Sequence, residues 1–482
     1  MVPSALDAMP PSALSTAPQT GAAEIATERA APGLSWRQQR RMLPPGLSRT
    51  ETLTRAGAAL LVTSTCLLFT WSTVSYIRHG YFGGLLSFYT VLMATYVLSR
   101  FLFALWYRPP RDVGYMPGVA IVVPAFNEGE AVSRTIDSCL AVDYPADLME
   151  VVVVDDGSTD DTWEHMTRSA ARYAKGRVRC LPLGHNQGKR AAMAAGIRAT
   201  EAEVLVFVDS DSMPAPESIR QLVQGLADDR VGAVSGITHV RNAWANTLTK
   251  MQMARYFVSF QLLKAAESVV GAVACCSGCF AAYRRDAILP VLEAWEHQTF
   301  LGTECTFGDD RALTNMILKD GWITTYDSSA EAWTDAPDKY RKFFKQQLRW
   351  KKSWAREGPI LLGHIWRSRL RAFPFVFMAT LAGMLSPFVL IINLSSPVVA
   401  GVIPVWYLAG MFLIAMAYAL FYRLLRNDGL WLYAFVGTFF YIAFSPQLWW
   451  AIIRIRDGAW GTRPSTVGST AARTSSAGVE NA

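Results

Sequence analysis

Acidic residues gather at the ends of three short apolar runs. The runs cover residues 119–124, 151–155 and 204–209, and the residues at or just after their ends include Pro124, Asn127, Glu128, Asp155, Asp156, Asp209 and Asp211. Carboxylates at one sheet edge repel one another unless a cation offsets them, and Mg²⁺ commonly bridges carboxylates to substrate phosphates. For each motif alone the alternative is a turn or a helix cap. Three motifs on successive strands favour a site for a divalent cation and a phosphorylated ligand.

A second acidic motif is suited to proton transfer. Asp309, Asp310 and Arg311 follow Gly308, and an aspartate held near an incoming hydroxyl could act as a general base. A salt-bridged helix start is the alternative for this motif. Lys189 opens a predicted helix, where its ammonium and the nearby amides could meet a phosphate.

A third motif combines amides, a cation and an indole within a basic amphipathic stretch at residues 339–371. Its members are Gln346, Gln347, Arg349 and Trp350. A surface helix on anionic lipid would explain the lysines of this stretch. It would not explain why two glutamines and an Arg-Trp pair occur together, so we expect a binding role for the motif.

Helices between the three apolar runs must position these side chains. We predict them at residues 131–140, 161–174 and 189–199. Apolar strands alternating with helices indicate a largely parallel sheet covered on both faces. Ligands of such sheets bind beyond the carboxyl ends of the strands, where the acidic motifs lie.

Charge-free hydrophobic blocks flank this α/β insert. The chain of 482 residues is 51% hydrophobic and 18% charged, which excludes a single soluble domain and a disordered protein. The blocks lie at residues 56–77, 81–99, 372–422 and 429–453. Because a bilayer-spanning helix needs about 20 apolar residues, we predict two spans before the insert and two after it. The second pair is expected to break at residues 395–397 and again near residue 404.

Basic residues indicate the topology, since Lys and Arg collect on cytoplasmic flanks. They place both termini and the insert on the cytoplasmic side of the plasma membrane. A fifth crossing at residues 429–453 would move Arg454, Arg456 and Arg463 outside. We therefore expect that segment to lie in the inner leaflet or to dip into it.

The net charge of +7 follows largely from these flanks, so nucleic-acid binding is not expected. The seven cysteines are an odd number and predict reduced thiols. Cys275, Cys276 and Cys279 lack a second ligand pair at zinc-binding spacing, and no metal centre is expected there.

The order of the motifs resembles processive family-2 glycosyltransferases, which include hyaluronan, chitin and cellulose synthases. The shared motifs are Asp-Asp-Gly-Ser at 155–158, Asp-x-Asp at 209–211, Gly-Asp-Asp-Arg at 308–311, Gln-Gln-x-Arg-Trp at 346–350 and Trp-Gly-Thr-Arg at 460–463. The likeness covers roughly residues 50–463 and is closest to hyaluronan synthases. The Cys275-Cys276 pair and the end of the chain soon after Arg463 are more similar to nodulation-type chitin oligosaccharide synthases.

The resemblance implies an α/β GT-A glycosyltransferase domain with a mostly parallel sheet, inserted between α-helical transmembrane segments. It implies that Asp310 is the catalytic base and that Asp209 and Asp211 bind Mg²⁺ or Mn²⁺. The nucleotide-sugar residues it implies are Pro124, Asn127, Glu128, Asp155, Asp156, Lys189 and Asp209. Those implied for the acceptor sugar or the leaving diphosphate are Asp309, Arg311, Gln346, Gln347, Arg349 and Trp350, and those of a gating loop are Trp460, Thr462 and Arg463.

The implied activity is inverting polymerisation from UDP-GlcNAc, with UDP-GlcA as co-substrate if the enzyme is hyaluronan synthase-like. The implied partners are UDP-sugars, the growing and exported polysaccharide, and membrane lipids. Three alternatives remain open: a chitin-type synthase that uses UDP-GlcNAc alone, a lipid-carrier glycosyltransferase, and a transporter or nucleotide-sensing membrane protein.

The expected domains follow the chain in seven parts. They are a disordered cytoplasmic tail (1–50), two transmembrane helices (51–107), the catalytic domain (108–335), interfacial helices (336–371), two transmembrane helices (372–422), an interfacial segment with the gating loop (423–463) and a disordered tail (464–482).

Overall fold

A computed structural model describes residues 83–457, apart from residues 402 and 427. Its strands are β1 (Val119–Ala125), β2 (Met149–Asp155), β3 (Val178–Pro182), β4 (Val204–Val208), β5 (Ser212–Pro214), β6 (Val231–Val240), β7 (Phe280–Arg284), β8 (Thr299–Phe300), β9 (Thr303–Glu304) and β10 (Ile323–Thr334). Eight strands form one sheet in the order β3-β2-β1-β4-β7-β6-β10-β5, and β8 pairs with β9.

The helices alternate with these strands and then follow them. They are α1 (Gly83–Trp106), α2 (Ala131–Leu140), α3 (Thr162–Ala170), α4 (Lys189–Arg198), α5 (Ser218–Gln224), α6 (Thr247–Val258), α7 (Ala265–Val269), α8 (Arg285–Ile288), α9 (Leu292–Glu296), α10 (Asp309–Lys319), α11 (Tyr340–Ser368), α12 (Phe373–Val399), α13 (Val405–Leu425), α14 (Trp431–Ala443) and α15 (Gln447–Ile453). A π-helical turn, Ser259–Lys264, joins α6 to α7.

The three predicted apolar runs are β1, β2 and β4, and they pair in parallel. The sheet as a whole is more mixed than we predicted, because β7 runs antiparallel to both β4 and β6. The fold class is nevertheless confirmed, with parallel pairing from β3 to β4 and again between β6 and β10.

Helices cover both faces of the sheet, as expected for buried strands. Alternate residues of β1 point to opposite faces: Ile121 packs with Ile136 of α2, whereas Val122 packs with Ile197 of α4. Every residue of β1 is buried, and the polar residues Asn127 and Glu128 follow its carboxyl end.

Three helices of the described part are long and apolar enough to cross a membrane: Phe88–Trp106, Phe373–Val399 and Tyr407–Leu425. The predicted break at residues 395–397 is wrong, since α12 continues to Val399. Pro397 cannot donate to the carbonyl of Asn393 four residues earlier. The hydroxyl of Ser396 donates to that carbonyl instead, at 2.9 Å, and this compensation lets the helix continue.

The segment predicted to lie in or dip into the inner leaflet forms α14 and α15, which are bent by 45° at a short break. This geometry fits either a broken span or a re-entrant loop, and the side of the membrane stays a prediction. The predicted span at residues 56–77, the gating-loop residues Trp460, Thr462 and Arg463, and both tails lie outside the described residues.

Candidate active site

The loops after β1 and β2 are tied into one rim. The amide of Asn127 donates to Ser158 Oγ at 2.9 Å, and the amide of Thr159 donates to Asn127 Oδ1 at 2.8 Å. Asn127 adopts a left-handed backbone with φ 53°, a conformation that asparagine tolerates better than most residues. Asp155 Oδ1 accepts from the Ser158 amide at 3.2 Å. The rim therefore fixes the side chains that end two neighbouring strands.

Asp156 holds the loop that leads into α4. It is fully buried, and Oδ1 accepts from the amides of Gln187 and Gly188 at 2.8 and 3.0 Å. Gly157 permits this approach, because a Cβ there would lie 2.3 Å from the carbonyl carbon of His185. Asp156 therefore has a structural role at the start of α4, and its expected nucleotide contact stays a prediction.

Pro124 is likewise buried within β1, so it shapes the strand and presents no group to the cleft. The pairing of β1 with β4 ends at Val122, before Pro124. The proline therefore removes no hydrogen bond between these two strands, although it has no N–H to donate.

Lys189, the first residue of α4, reaches the carboxylate of Asp209 beyond the end of β4. Burial alone would raise the pKa of Asp209, but the Lys189 ammonium holds it below its usual range. In turn, Asp209 keeps the pKa of Lys189 above its usual range despite burial. The pair places one cation and one carboxylate on the floor of the cleft.

Asp211 lies close to two other carboxylates. Its Oδ1 accepts from Thr334 Oγ1 at 3.2 Å, while Glu128 Oε1 accepts from Ser210 Oγ at 2.9 Å. Desolvation within the cleft and the charges of Asp209 and Glu128 raise the pKa of Asp211 to about 6. Hard carboxylate oxygens with excess negative charge are the donor set that Mg²⁺ and Mn²⁺ prefer.

Asp310 faces this group across Gly278. The Gly278 amide and the Cys275 thiol each lie 3.4 Å from Asp310 Oδ2. A Cβ built on Gly278 would lie 3.4 Å from Lys189 Nζ, 3.8 Å from Asp209 Oδ1 and 3.8 Å from Asp310 Cβ. One glycine therefore separates the candidate base from the cation and carboxylate of the Lys189–Asp209 pair.

Asp309 is held in a buried ion pair, and its expected role in acceptor or diphosphate binding stays a prediction. It is 5% exposed, and its Oδ1 lies 2.9 Å from Nε of the buried Arg190. Its carbonyl also accepts from the indole of Trp295 at 2.9 Å. Arg311, two residues on, is half-buried at the edge of the same turn.

The Gln-Gln-x-Arg-Trp motif lies in the first turns of α11, within the predicted amphipathic stretch. Arg349 is within electrostatic range of Asp209 and Asp310, and burial lowers the pKa of its guanidinium. Gln346 Oε1 is buried without a hydrogen-bond partner among the described residues. The Trp350 ring is 42% exposed, with its centroid 6.3 Å from that of Tyr256. The motif thus adds a cation, an unused acceptor and a flat apolar face beside the cleft.

Two lysines fasten the same helix to the C-terminal segment. Lys351 Nζ donates to the carbonyl of Phe444, and Lys352 Nζ donates to the carbonyl of Asp457 at 2.8 Å. Gln447 of α15 donates in return to the carbonyl of Phe344 at 3.1 Å.

A buried polar network behind the cleft was missed from the sequence. Glu357 of α11 accepts from Arg356 at 2.7 Å, from Gln298 at 3.1 Å and from Asn315 at 2.9 Å. Gln298 also accepts from Arg190 at 3.2 Å. The network joins α4, α10 and α11, which carry Lys189, Asp310 and Arg349. The sequence analysis assigned no role to Gln298, Asn315 or Glu357, because no local pattern identifies their distant partners.

Fold and site together define a glycosyltransferase of the GT-A class. The chain is similar in structure to a mannosyltransferase of Pyrobaculum calidifontis in complex with GDP-Man and Mn²⁺, with a TM-score of 0.56 and 21% sequence identity over 77% of this chain and 98% of that one. Residues 117–353 match the family model described as "Glycosyltransferase like family 2".

Curated relatives extend the likeness beyond the catalytic domain. A hyaluronan synthase of Streptococcus pyogenes is 30% identical over 82% of this chain and 95% of its own length. An N-acetylglucosaminyltransferase of Azorhizobium caulinodans is 33% identical over 73% of this chain and 88% of its own. A second, from Rhizobium meliloti, is 36% identical over 58% of this chain and 67% of its own. The chain belongs to the family-2 glycosyltransferases.

Proposed function

We propose that the enzyme is a processive, inverting β-glycosyltransferase that polymerises sugar from UDP-GlcNAc, with UDP-GlcA as co-substrate, and moves the polymer across the plasma membrane. The observation that carries the proposal is the placement of Asp310 and the Lys189–Asp209 pair around Gly278, with Arg349 within electrostatic range of both aspartates. The similarity to a hyaluronan synthase along 95% of that protein supports the processive activity.

Each group around Gly278 has a task in such a transfer. Asp310 accepts the proton of the acceptor hydroxyl, whose oxygen then bonds to the anomeric carbon as the bond to the diphosphate breaks. Lys189 and Arg349 offset the charge that grows on the departing diphosphate. Trp350 offers an apolar face to a sugar ring of the acceptor. UDP leaves, and the chain is longer by one sugar.

We propose that Asp211, with Asp209, holds Mg²⁺ or Mn²⁺. The donor set fits, because Asp211 lies near the carboxylates of Asp209 and Glu128, whose charges, after desolvation, contribute to its raised pKa. A divalent ion there supplies charge neutralisation for the nucleotide diphosphate. The structurally similar mannosyltransferase is a complex with Mn²⁺, which supports a divalent ion at this site.

The second candidate is an N-acetylglucosamine oligosaccharide synthase that uses UDP-GlcNAc alone. It is favoured by the identities of 33% and 36% to two N-acetylglucosaminyltransferases, which exceed the 30% to the hyaluronan synthase. A lipid-carrier glycosyltransferase is less suited to the site, since a single transfer does not need the acceptor-holding motif of α11.

The topology belongs to the same proposal. We infer that the catalytic domain and both termini are cytoplasmic, because UDP-sugars are donors on that side and the basic flanks agree. The apolar helices, which include Phe88–Trp106 and Phe373–Val399, would then provide a path for a polymer too polar to cross lipid unaided.

Product analysis tests the proposal directly. Membranes containing the full chain receive labelled UDP-GlcNAc with or without UDP-GlcA, and the polymer is digested with hyaluronidase or chitinase. We expect incorporation to need both donors and the product to yield to hyaluronidase. Label incorporated without UDP-GlcA and released only by chitinase supports the second candidate. No incorporation from any UDP-sugar contradicts both.

A further inference from the structure

Two cations lie beside Trp350, outside the groups used for transfer. Arg255 of α6 and Lys351 of α11 form, with Tyr256, Trp350 and Tyr441, a set that we call the exit cluster. The Arg255 guanidinium lies 5.1 Å from the centroid of the Tyr441 ring. Three elements, α6, α11 and α14, therefore meet around two positive charges.

Arg255 is unusual for its position. The residues around it on α6, from Met251 to Ala254 and again Phe257 and Val258, are buried, whereas Arg255 is exposed. An exposed cation between buried stretches of one helix indicates that the helix borders an open space at this point.

The charges of the exit cluster lack acidic partners. Neither Arg255 nor Lys351 forms an ion pair with a carboxylate of residues 83–457, although Lys351 Nζ donates to the neutral carbonyl of Phe444; the adjacent Lys352 lies 3.6 Å from Asp457 Oδ2. Burial and the charge of Arg255 lower the pKa of Lys351 to about 8. Two cations that repel each other would both gain from an anion placed between them.

Positive charge continues from the exit cluster toward the apolar helices. Tyr418 of α13 lies within electrostatic range of both Arg255 and Arg100. Arg100 is 1% exposed, and its Nη2 donates to the carbonyl of Phe375 at 3.2 Å. Its Nε and Nη1 have no hydrogen-bond partner within the described chain.

The exit cluster is also continuous with the active site. Tyr256 is within electrostatic range of Asp209 and Asp211, and its ring neighbours that of Trp350. A sugar chain held on Trp350 would pass Tyr256, Arg255 and Lys351 next. Rings alternating with cations suit a polymer with flat apolar faces and regularly spaced carboxylates.

We propose that Arg255 and Lys351 bind the carboxylates of an acidic polysaccharide as it leaves the active site. The inference rests on the proposed function and sharpens it, because a neutral N-acetylglucosamine polymer would leave both cations uncompensated. An anionic lipid headgroup is the other anion to consider, but the aromatic rings and the proximity to Asp209 and Asp211 favour the polymer.

Binding to the purified full-length protein tests the site without polymerisation. The probes are fluorescent oligosaccharides of equal length, one with alternating glucuronic acid and one of N-acetylglucosamine alone. We expect the acidic probe to bind more tightly, and Arg255→Gln to weaken it by about tenfold, the loss of one charge-assisted contact. Arg255→Lys should retain most of the affinity, and Lys342→Gln, an exposed change on the same helix, should have no effect.

Synthesis in vesicles provides the second readout. With both UDP-sugars, Arg255→Gln should shorten the polymer while UDP affinity stays at the wild-type value. Equal affinity of the wild-type protein for both probes overturns the inference, as does an Arg255→Gln product of normal length. The Arg255→Gln variant could also make short polymer only in phosphatidylglycerol vesicles and polymer of normal length in phosphatidylcholine vesicles. That result would mean that Arg255 binds lipid headgroups, and it would also overturn the inference. Absence of any product from wild-type vesicles counts against the proposed function, and the binding experiment then decides the site alone.

Discussion

The guanidinium of Arg190 and the carboxylate of Asp309 form a buried ion pair, with Nε 2.9 Å from Oδ1. Each partner adjoins in sequence a residue of the cleft, Lys189 in one case and Asp310 in the other. The pair therefore fixes the start of α4 against the start of α10. The buried pair thereby sets the distance between Lys189, the proposed diphosphate-binding cation, and Asp310, the candidate base.

Breaking this pair should cost stability. Asp309→Asn leaves a buried guanidinium without its counter-charge, and we expect a loss of about 3–5 kcal/mol in the free energy of unfolding. Thermal unfolding of the detergent-solubilised protein measures it. Asp137→Asn, which removes an exposed partner of Arg172, should cost about 1 kcal/mol or less. Similar losses for both variants would contradict the buried role of Asp309.

Asp310→Asn should abolish transfer and leave binding intact. The variant keeps an oxygen for the Gly278 amide but cannot take a proton, so we expect the rate to fall by about 10²–10⁴-fold. Label incorporation gives the rate, and UDP titration gives the affinity. A parallel loss of UDP affinity and of thermal stability would mean that Asp310 is structural.

Gly278→Ala tests whether the space around Gly278 is where the reaction occurs. The new methyl would make ordinary contacts of 3.4–3.8 Å with Lys189, Asp209 and Asp310, so the protein should fold with a nearly unchanged melting temperature. The methyl would occupy room that a sugar needs, and we expect kcat to fall by more than the affinity for UDP. Gly236→Ala serves as the contrasting control, since its Cβ would lie 2.3 Å from the Phe280 ring and should destabilise the fold. Normal turnover by Gly278→Ala would show that the reaction does not occur next to Gly278.

Removal of divalent ions should stop transfer. Chelation with EDTA is expected to abolish incorporation, and Mn²⁺ or Mg²⁺ should restore it. Asp211→Asn should raise the metal concentration needed for half-maximal activity, because one anionic ligand is lost. Metal titrations of both proteins provide the comparison. Full activity of the wild-type enzyme in EDTA would rule out the proposed ion.

Asp327 gives a pH-dependent contribution to stability. It is buried in β10, Oδ2 has no hydrogen-bond partner in the described chain, and burial raises its pKa from 3.8 to about 6. The folded state thus favours the protonated form, and stability falls as pH rises through about 6. Asp327→Asn should stabilise the protein at pH 8 by up to about 3 kcal/mol and give little gain at pH 4. An equal change in melting temperature at both pH values would show that the charge is not responsible.

The sequence predicted the elements that carry the site better than the orientation of its side chains. Three acidic pairs cannot be distinguished by their local sequence: Asp155 and Asp156, Asp209 and Asp211, Asp309 and Asp310. In the fold, partners distant in sequence distinguish these carboxylates. Arg190 pairs with Asp309, and two amides at the start of α4 donate to Asp156. Spacing alone carries no information about these partners.

Long-range contacts also explain what the sequence could not predict. Glu357 and Gln298 are 59 positions apart and meet only because α11 packs against α10 and the turn after α9. The break expected at residues 395–397 failed for a local reason, since a serine hydroxyl replaced the missing donor. Hydrophobic blocks and β-branched runs were predicted well because burial depends on composition more than on partners.

Hydrogen bonds from Lys351 and Lys352 to the carbonyls of Phe444 and Asp457 hold α11 against the C-terminal segment. Trp350 directly precedes these lysines, so any axial shift of the segment transmits strain to the surface on which an acceptor sugar would rest. If the enzyme is processive as proposed, the advance of the polymer and the resetting of the acceptor surface would be coupled through the contacts of these two lysines.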